Sequence, residues 1–423
     1  MLQVSVLRAN PEEVKKRLAV KHFKQPALVD TIIGLDDERK KLQLDFDTAQ
    51  AKINAASKEI GKLMAQGNKE AAEIMKAEVA GLKTSLDPIK EQMNVVEQTL
   101  LDTLLQLPNL PTAEVPEGRT PEENVVVREG GSKPALHEGA QPHWDIAKKY
   151  NLIDFELGNK ITGSGFPVYI GKGAKLQRAL IQYFLDFNTA AGYTEYLPPF
   201  MVNAASAMGT GQLPDKEGQM YYMPEDEFYM IPTAEVPVTN VYRDVILKEE
   251  DFPVKMTAYS PCFRREAGSY GKDVRGLNRL HQFEKVEIIQ IVEPEKSQAA
   301  LEEMVLHVEK LLSTLELPYR ILRLCGGDMG FASAITYDFE VFSAAQERWL
   351  EVSSVSNFES YQTNRLKCRY KDSNGKMQLA HSLNGSSLAL PRIVACLLEN
   401  HQTAEGIQLP AAIVPYFGSA LIN

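Results

Sequence analysis

The sequence predicts an α+β chain, with two long helices near its N-terminal end and a larger domain of strand pairs and helices after them. Three observations carry this. An apolar a/d seam steps by three and four over residues 32–63 and resumes over 75–100, with a break at Gln66-Gly67-Asn68 between. A strand–loop–strand unit spans Tyr259 to Glu287. No G-x-x-x-x-G-K-[ST] or G-x-G-x-x-G run occurs, so any nucleotide must sit on something other than a phosphate loop.

A chain of 423 residues, 44% hydrophobic and 24% charged, is ample for two to three globular domains. A net charge of −10 argues against nucleic-acid binding over the whole surface, so an RNA partner would need a local basic track. Cys262, Cys325, Cys368 and Cys396 are far apart and form no C-x-x-C pair; they read as free thiols in a reducing compartment, with no structural zinc expected. The start, MLQVSVLRANPEEVKKRL, lacks a signal-peptide core, and no apolar run is long enough for a bilayer, so a cytoplasmic address without membrane contact is expected.

Asn10 followed by Pro11 reads as an N-cap and N1 proline. The first long helix carries Ile32, Leu35, Leu42, Phe46, Ala49, Ile53, Ala56, Ile60 and Leu63 on its seam, with Arg39 as the one polar member. The second carries Met75, Val79, Leu82, Leu86, Ile89, Met93, Val96 and Leu100. Joined by a short turn, the two should fold back as an antiparallel coiled coil about 50 Å long. Pro88 should kink or locally break the second helix. Lys69, Lys76, Lys83 and Lys90 recur every seven residues beside the seam. They suit a track for RNA phosphates; they equally suit a flanking row paired with acids on the first helix.

Prolines at 108, 111, 116, 121 and 134 mark a domain boundary. Leu176 to Ala191 is helical in pattern, and Gly192 to Phe200 reads as a short strand stopped at Pro198-Pro199. Tyr221–Met223 and Phe228–Ile231 read as paired strands, followed by Thr233-Ala234-Glu235 and a helix-like stretch to Val245. Taken alone, Thr233 and Glu235 fit a helix N-cap and a first-turn acid.

In the central unit, the loop is glycine-rich and charged: Gly268, Gly271, Gly276, Lys272, Asp273 and Arg275. Alternation makes Arg264 and Glu266 point the same way along the first strand, and Arg279, His281, Phe283, Lys285 and Glu287 the same way along the second. Arginine matches phosphate oxygens, phenylalanine stacks on a base, and a carboxylate holds an amine. Further on, Tyr337–Phe342 and Glu351–Asn357 read as strands, with Glu351, Ser353 and Val355 on one face. A strand from His381 then runs into a helix through Arg392.

These segments, FR-x-E with RGLNRLHQFEKVE above all, resemble the seryl-tRNA synthetases of the class II aminoacyl-tRNA synthetases. The resemblance implies an antiparallel β-sheet catalytic domain flanked by helices, over residues 109–423. Motif 1 would cover about 176–200, with Pro199 as its proline, and would build a homodimer. Motif 2 would cover about 259–287, and motif 3 about 381–400. Residues 1–108 would form a tRNA-binding domain whose arm, about 27–106, grips the long variable arm of serine tRNAs.

It implies a serine—tRNA ligase that joins L-serine to ATP as seryl-adenylate and passes serine to tRNA(Ser), and to tRNA(Sec). Thr233, Ala234, Glu235, Glu287, Asn384 and Ser386 would form the serine pocket. Arg264, Arg265, Glu266, Arg279, Phe283, Glu351, Val352, Ser353, Ser354 and Arg392 would bind ATP, with Arg264, Glu266 and Arg392 catalytic. Glu351 and Ser354 would hold Mg²⁺, whose ligands are hard oxygens. Pro391 departs from the glycine common in the family, and is harmless only in the first turn of its helix. The rival reading, an adenylating paralogue that loads a small amino acid onto a carrier protein, predicts loss of the arm.

Overall fold

The computed structural model describes residues 1–267 and 275–423. Gly268, Gly271, Lys272 and Asp273 of the glycine-rich loop lie outside the described residues. The chain divides into two compact units, Met1–Ala19 with Phe23–Pro108, and Val20–His22 with Asn109–Asn423.

The first unit is helical: α1 (Val4–Ala9), α2 (Pro11–Val20), α3 (Leu28–Ala65) and α4 (Lys69–Leu104). The Asn10 side-chain oxygen accepts the Glu13 N–H at 3.1 Å, as an N-cap should. Between α3 and α4 the chain reverses through Gly67, at φ +77°, and Asn68, whose side chain accepts the Ala71 N–H. Two helices alone cannot enclose a core. Ile32, Ile53, Val79, Val96 and Leu100 are buried, while most other seam positions are only partly covered.

The polar notch in the seam is centred on Asp36, which is 3% exposed and receives Arg8, Arg39 and Lys40, each at 2.8 Å. Burial pushes the Asp36 carboxyl up, but hydrogen bonds from Lys40, Arg39 and Arg8 outweigh this and hold it well below the usual range. α4 runs without interruption through Pro88, so the expected break does not occur. Pro88 is exposed, so water can satisfy the one carbonyl its missing N–H frees.

The second unit is built on an eight-stranded sheet: β1 (Val125–Gly130), β2 (Thr194–Glu195), β3 (Val254–Phe263), β4 (Gln282–Val292), β5 (Tyr319–Arg323), β6 (Ile335–Ser343), β7 (Arg348–Glu359) and β8 (His381–Ala389). Their spatial order is β1-β5-β6-β7-β8-β4-β3-β2. All pairs are antiparallel except β2 with β3. The central position of β8, last of the eight in chain order, is thus filled after both of its neighbours.

Helices α5 (His143–Lys149), α6 (Lys172–Ala190), α7 (Ser297–Thr314) and α8 (Leu390–Asn400) belong to the same unit. α6, α7 and α8 bury Leu180, Phe184, Met304, Val308, Ile393 and Leu397 in one cluster with Val286, Ile288, Phe339 and Val355 of the sheet. Period-two alternation leaves Lys285 and Glu287 on the other face, where the cavity lies.

Three local readings shift. The strand expected from Gly192, stopped at Pro198-Pro199, is only the two residues of β2, with the Tyr196 N–H still donating to the Thr257 carbonyl at 2.8 Å. The helix after Thr233-Ala234 is short, Glu235–Asn240. On β7, Phe339 faces Ser353 and Glu340 faces Glu351, which leaves Val352 as a bulge. That extra residue resets the alternation: Val355 packs into the core, while Glu351, Ser354 and Ser356 line the cavity.

Candidate active site

A cavity of about 720 Å³ opens on the sheet face away from α6 and α7. All the residues expected for serine, ATP and metal line it, except Ala234 and Arg265. Ala234 is fully buried in a cluster with Val238, Met256 and Ile289. Arg265 is exposed, and its backbone N–H donates to the Gln219 carbonyl at 2.9 Å. The chain leaves β3 after Phe263, and Glu266 sits at φ +48°, so strand alternation ends there. His281 also departs from its expected face: it stacks on Phe166 at 5.3 Å and meets the Tyr221 hydroxyl at 3.0 Å.

One end of the cavity is a carboxylate pocket. The register sets Glu287 of β4 opposite Ser386 of β8, and Asn384 of β8 opposite Ser356 of β7. Glu287, 2% exposed, receives Lys285 Nζ at 2.7 Å and the Thr233 hydroxyl at 3.2 Å. Glu235 Oε1 accepts Gln362 Nε2 at 2.6 Å. Burial, and then the Glu287 charge, push the Glu235 carboxyl up to about 7, against the pull of Gln362, Lys285 and Asn384. Among the described residues, Lys285 is the one cation beside the two buried carboxylates, so Glu235 stays largely protonated until a second cation arrives, which suits an incoming ammonium. The Thr233 and Ser386 hydroxyls and the Asn384 amide supply partners for a small polar side chain.

The other end is cationic. The Arg264 guanidinium lies 5.3 Å from the centre of the Phe283 ring, and its Nε reaches the Pro232 carbonyl at 3.4 Å. Arg279 pairs with Glu266 at 3.0 Å. Pro391 lies in the first turn of α8, where its missing N–H is of no account. Arg392, the next residue, donates to the carbonyls of Asn278 at 3.0 Å and Glu351 at 2.6 Å.

The oxygens near Glu351 fit a divalent cation. Asp338 of β6 faces Ser354 across the ladder, and its Oδ1 is buried without a hydrogen-bond partner. Burial and the Glu351 charge raise the Asp338 carboxyl well above its usual range, against the Ser354 hydrogen bond. A divalent cation held by Glu351, Ser354 and Asp338 would relieve both the orphaned oxygen and the like-charge strain.

Sequence reasoning did not assign Lys285, Asp338 or Gln362. Lys285 had a signal, since it stands two residues before Glu287 on one strand. Asp338 and Gln362 had none, because only the β6–β7 register and the fold around Glu235 bring them to the cavity.

A cavity on a β-floor that brings together Arg264, Arg279 and Arg392, the Phe283 ring and the Glu235 and Glu287 carboxylates, without a phosphate loop, defines a class II aminoacyl-tRNA synthetase. The tRNA synthetase class II core domain (G, H, P, S and T) matches residues 221–401, and the seryl-tRNA synthetase N-terminal domain matches residues 1–111. The serine—tRNA ligase of Salinibacter ruber is 49% identical over 425 residues, covering 100% of this chain and 99% of the relative. That of Neisseria meningitidis serogroup C is 46% identical over 99% of this chain and 98% of its own. Among solved structures, the seryl-tRNA synthetase of Pyrococcus horikoshii complexed with ATP superposes with a TM-score of 0.91 at 30% identity, covering 100% of this chain and 99% of that one. The chain belongs to the seryl-tRNA synthetase family, a family of aminoacyl-tRNA ligases.

Proposed function

We propose that this enzyme activates L-serine with ATP and transfers the seryl group to tRNA(Ser), and to tRNA(Sec) where that tRNA is present. The observation that carries the reading is the buried Glu287–Glu235 pocket, set on the same cavity wall as Arg264 and Phe283. The serine ammonium would meet Glu287, and its hydroxyl would pair with Thr233, Ser386 or Asn384. A site built to pair with a hydroxyl rejects the analogue lacking it by about 10⁴-fold, which sets serine against alanine.

In the first step the serine carboxylate attacks the α-phosphorus in line, and pyrophosphate leaves. Arg264 would turn from Phe283 to the α-phosphoryl oxygens, freeing the ring to stack on adenine. Arg279 and Arg392 would hold the outer phosphates, and Glu266 the adenine amino edge. Glu351, Ser354 and Asp338 would hold Mg²⁺, which would supply positive charge against the phosphates. In the second step a terminal ribose hydroxyl of the tRNA attacks the adenylate carbonyl, and AMP leaves. No side chain need be a nucleophile, because positioning and charge supply most of the barrier reduction.

The helical hairpin would grip the tRNA by shape, with Lys69, Lys76, Lys83 and Lys90 among its phosphate contacts. All four are exposed on α4, and Lys76 pairs with Glu73 of its own helix rather than with an acid on α3. Motif 1 would pair two chains as a homodimer in the cytoplasm. Among the described residues no helix is long and apolar enough to cross a membrane. The test is ATP–pyrophosphate exchange against a panel of amino acids, followed by charging of total tRNA. Serine alone should support both; exchange with another amino acid in place of serine would overturn the reading.

A further inference from the structure

A second network lies behind the cavity. His143 and Glu399 are both fully buried, with His143 Nδ1 2.7 Å from Glu399 Oε1. The other ring nitrogen, Nε2, is 2.9 Å from the backbone nitrogen of Leu277. A backbone N–H can only donate, so Nε2 must offer its lone pair. Nε2 therefore accepts, and Nδ1 directs its hydrogen at Glu399. Glu399 also receives the His143 backbone N–H at 3.0 Å, Gln346 Nε2 at 3.1 Å and the Ser343 hydroxyl. Burial pushes the Glu399 carboxyl up, but the hydrogen bonds from the His143 ring, the Ser343 hydroxyl and the His143 backbone outweigh this and hold it below the usual range.

The network reaches the nucleotide grip by two routes. Gln346 Oε1 accepts Asn278 Nδ2 at 3.0 Å, and the Asn278 carbonyl accepts Arg392 Nε at 3.0 Å. Arg392 and Glu399 lie seven residues apart on α8, two turns along one face. α8 thus holds segment 275–279 at two points, through Arg392 directly and through His143 at one remove. Gly276, at φ +65°, allows the close approach: a Cβ there would stand 2.2 Å from His143 Nε2. The Arg275 guanidinium lies 4.3 Å from the centre of the Trp144 ring, beside it.

We infer that His143, oriented by Glu399, is a positioning residue that sets where Arg279 and Arg392 stand in the cavity, and so governs the grip on the outer phosphates of the nucleotide. This rests on the ATP reading of those arginines. A merely structural hydrogen bond would alter stability and leave the two substrates equally affected.

The test uses the full-length enzyme in serine-dependent ATP–pyrophosphate exchange, varying ATP and serine separately. His143→Leu should raise the KM for ATP about tenfold and keep the KM for serine within about twofold. His143→Gln places an amide oxygen where Nε2 was and should recover most of the ATP affinity. His143→Asn keeps only the Glu399 contact and should not. Equal changes in both KM values, or Asn recovering as well as Gln, would overturn the inference. Should His143→Leu fail to fold, Gln346→Ala decides: a raised ATP KM supports the inference, and an unchanged one overturns it. Arg392→Ala separates the two levels, because an unchanged ATP KM there would sink the ATP reading itself.

Discussion

Arg264 spans both halves of the proposed chemistry: it covers Phe283, and its Nε meets the Pro232 carbonyl beside the Thr233 segment. Arg264→Ala should cost roughly 3–4 kcal/mol at the adenylation transition state, the penalty of losing one preorganised charge donor. Near-normal pyrophosphate exchange would refute the role. Glu235 carries a pH prediction. Its carboxyl ionises only near 7 in the fold, against about 4.3 in an unfolded chain. Below both values the two states are equally protonated and Glu235 has no effect. As pH rises between them the unfolded chain ionises first, so stability falls through that window, and Glu235→Gln should remove the loss. A serine ammonium favours the ionised form, so serine binding near neutral pH should release a proton. Calorimetry in buffers of different ionisation heat would detect it. An equal pH slope of stability in wild type and Glu235→Gln would count against this account.

Among the elements, α3 and α4 were the most legible, because a 3.5-residue repeat names both the helices and the faces that meet. Their turn was legible too, through Gly67 and Asn68. The Asp36 notch was not, since Arg8 reaches it from α1, twenty-eight residues away. Asp36→Ala should destabilise the helical unit by about 2 kcal/mol, as loss of one partner leaves cations without their anion. The lowered carboxyl makes a signed claim: its contribution is present above about pH 4 and fades as acid protonates it. Hydrogen-exchange protection across α1 and α3, taken relative to the intrinsic rate at each pH, should fall at low pH in wild type and be already low in the variant. In the sheet, the strand periods located β4, β6, β7 and β8, yet the bulge at Val352 could not be read from period two. A single extra residue moved Ser354 into line with Glu351 and turned Val355 inward.

At the scale of the whole chain, the two units predict separable activities. Deleting Ala27 to Gln106 should spare serine-dependent pyrophosphate exchange and abolish tRNA charging; equal loss of both would contradict the division. Neutralising Lys76 and Lys83 together should weaken tRNA binding and flatten its dependence on salt by about one unit of logarithmic slope per lost phosphate contact. The motif order and the cavity residues were readable along the chain, whereas the neighbours that tune them were supplied by strand register. That register also governs how the molecule comes into being. Because β8 enters the middle of the sheet after its neighbours have been synthesised, a growing polypeptide holds two half-sheets, each with a raw inner margin. Until β8 slots between β7 and β4, those margins are open to pairing with other chains. Newly made protein should therefore depend on chaperones in a way the finished enzyme does not.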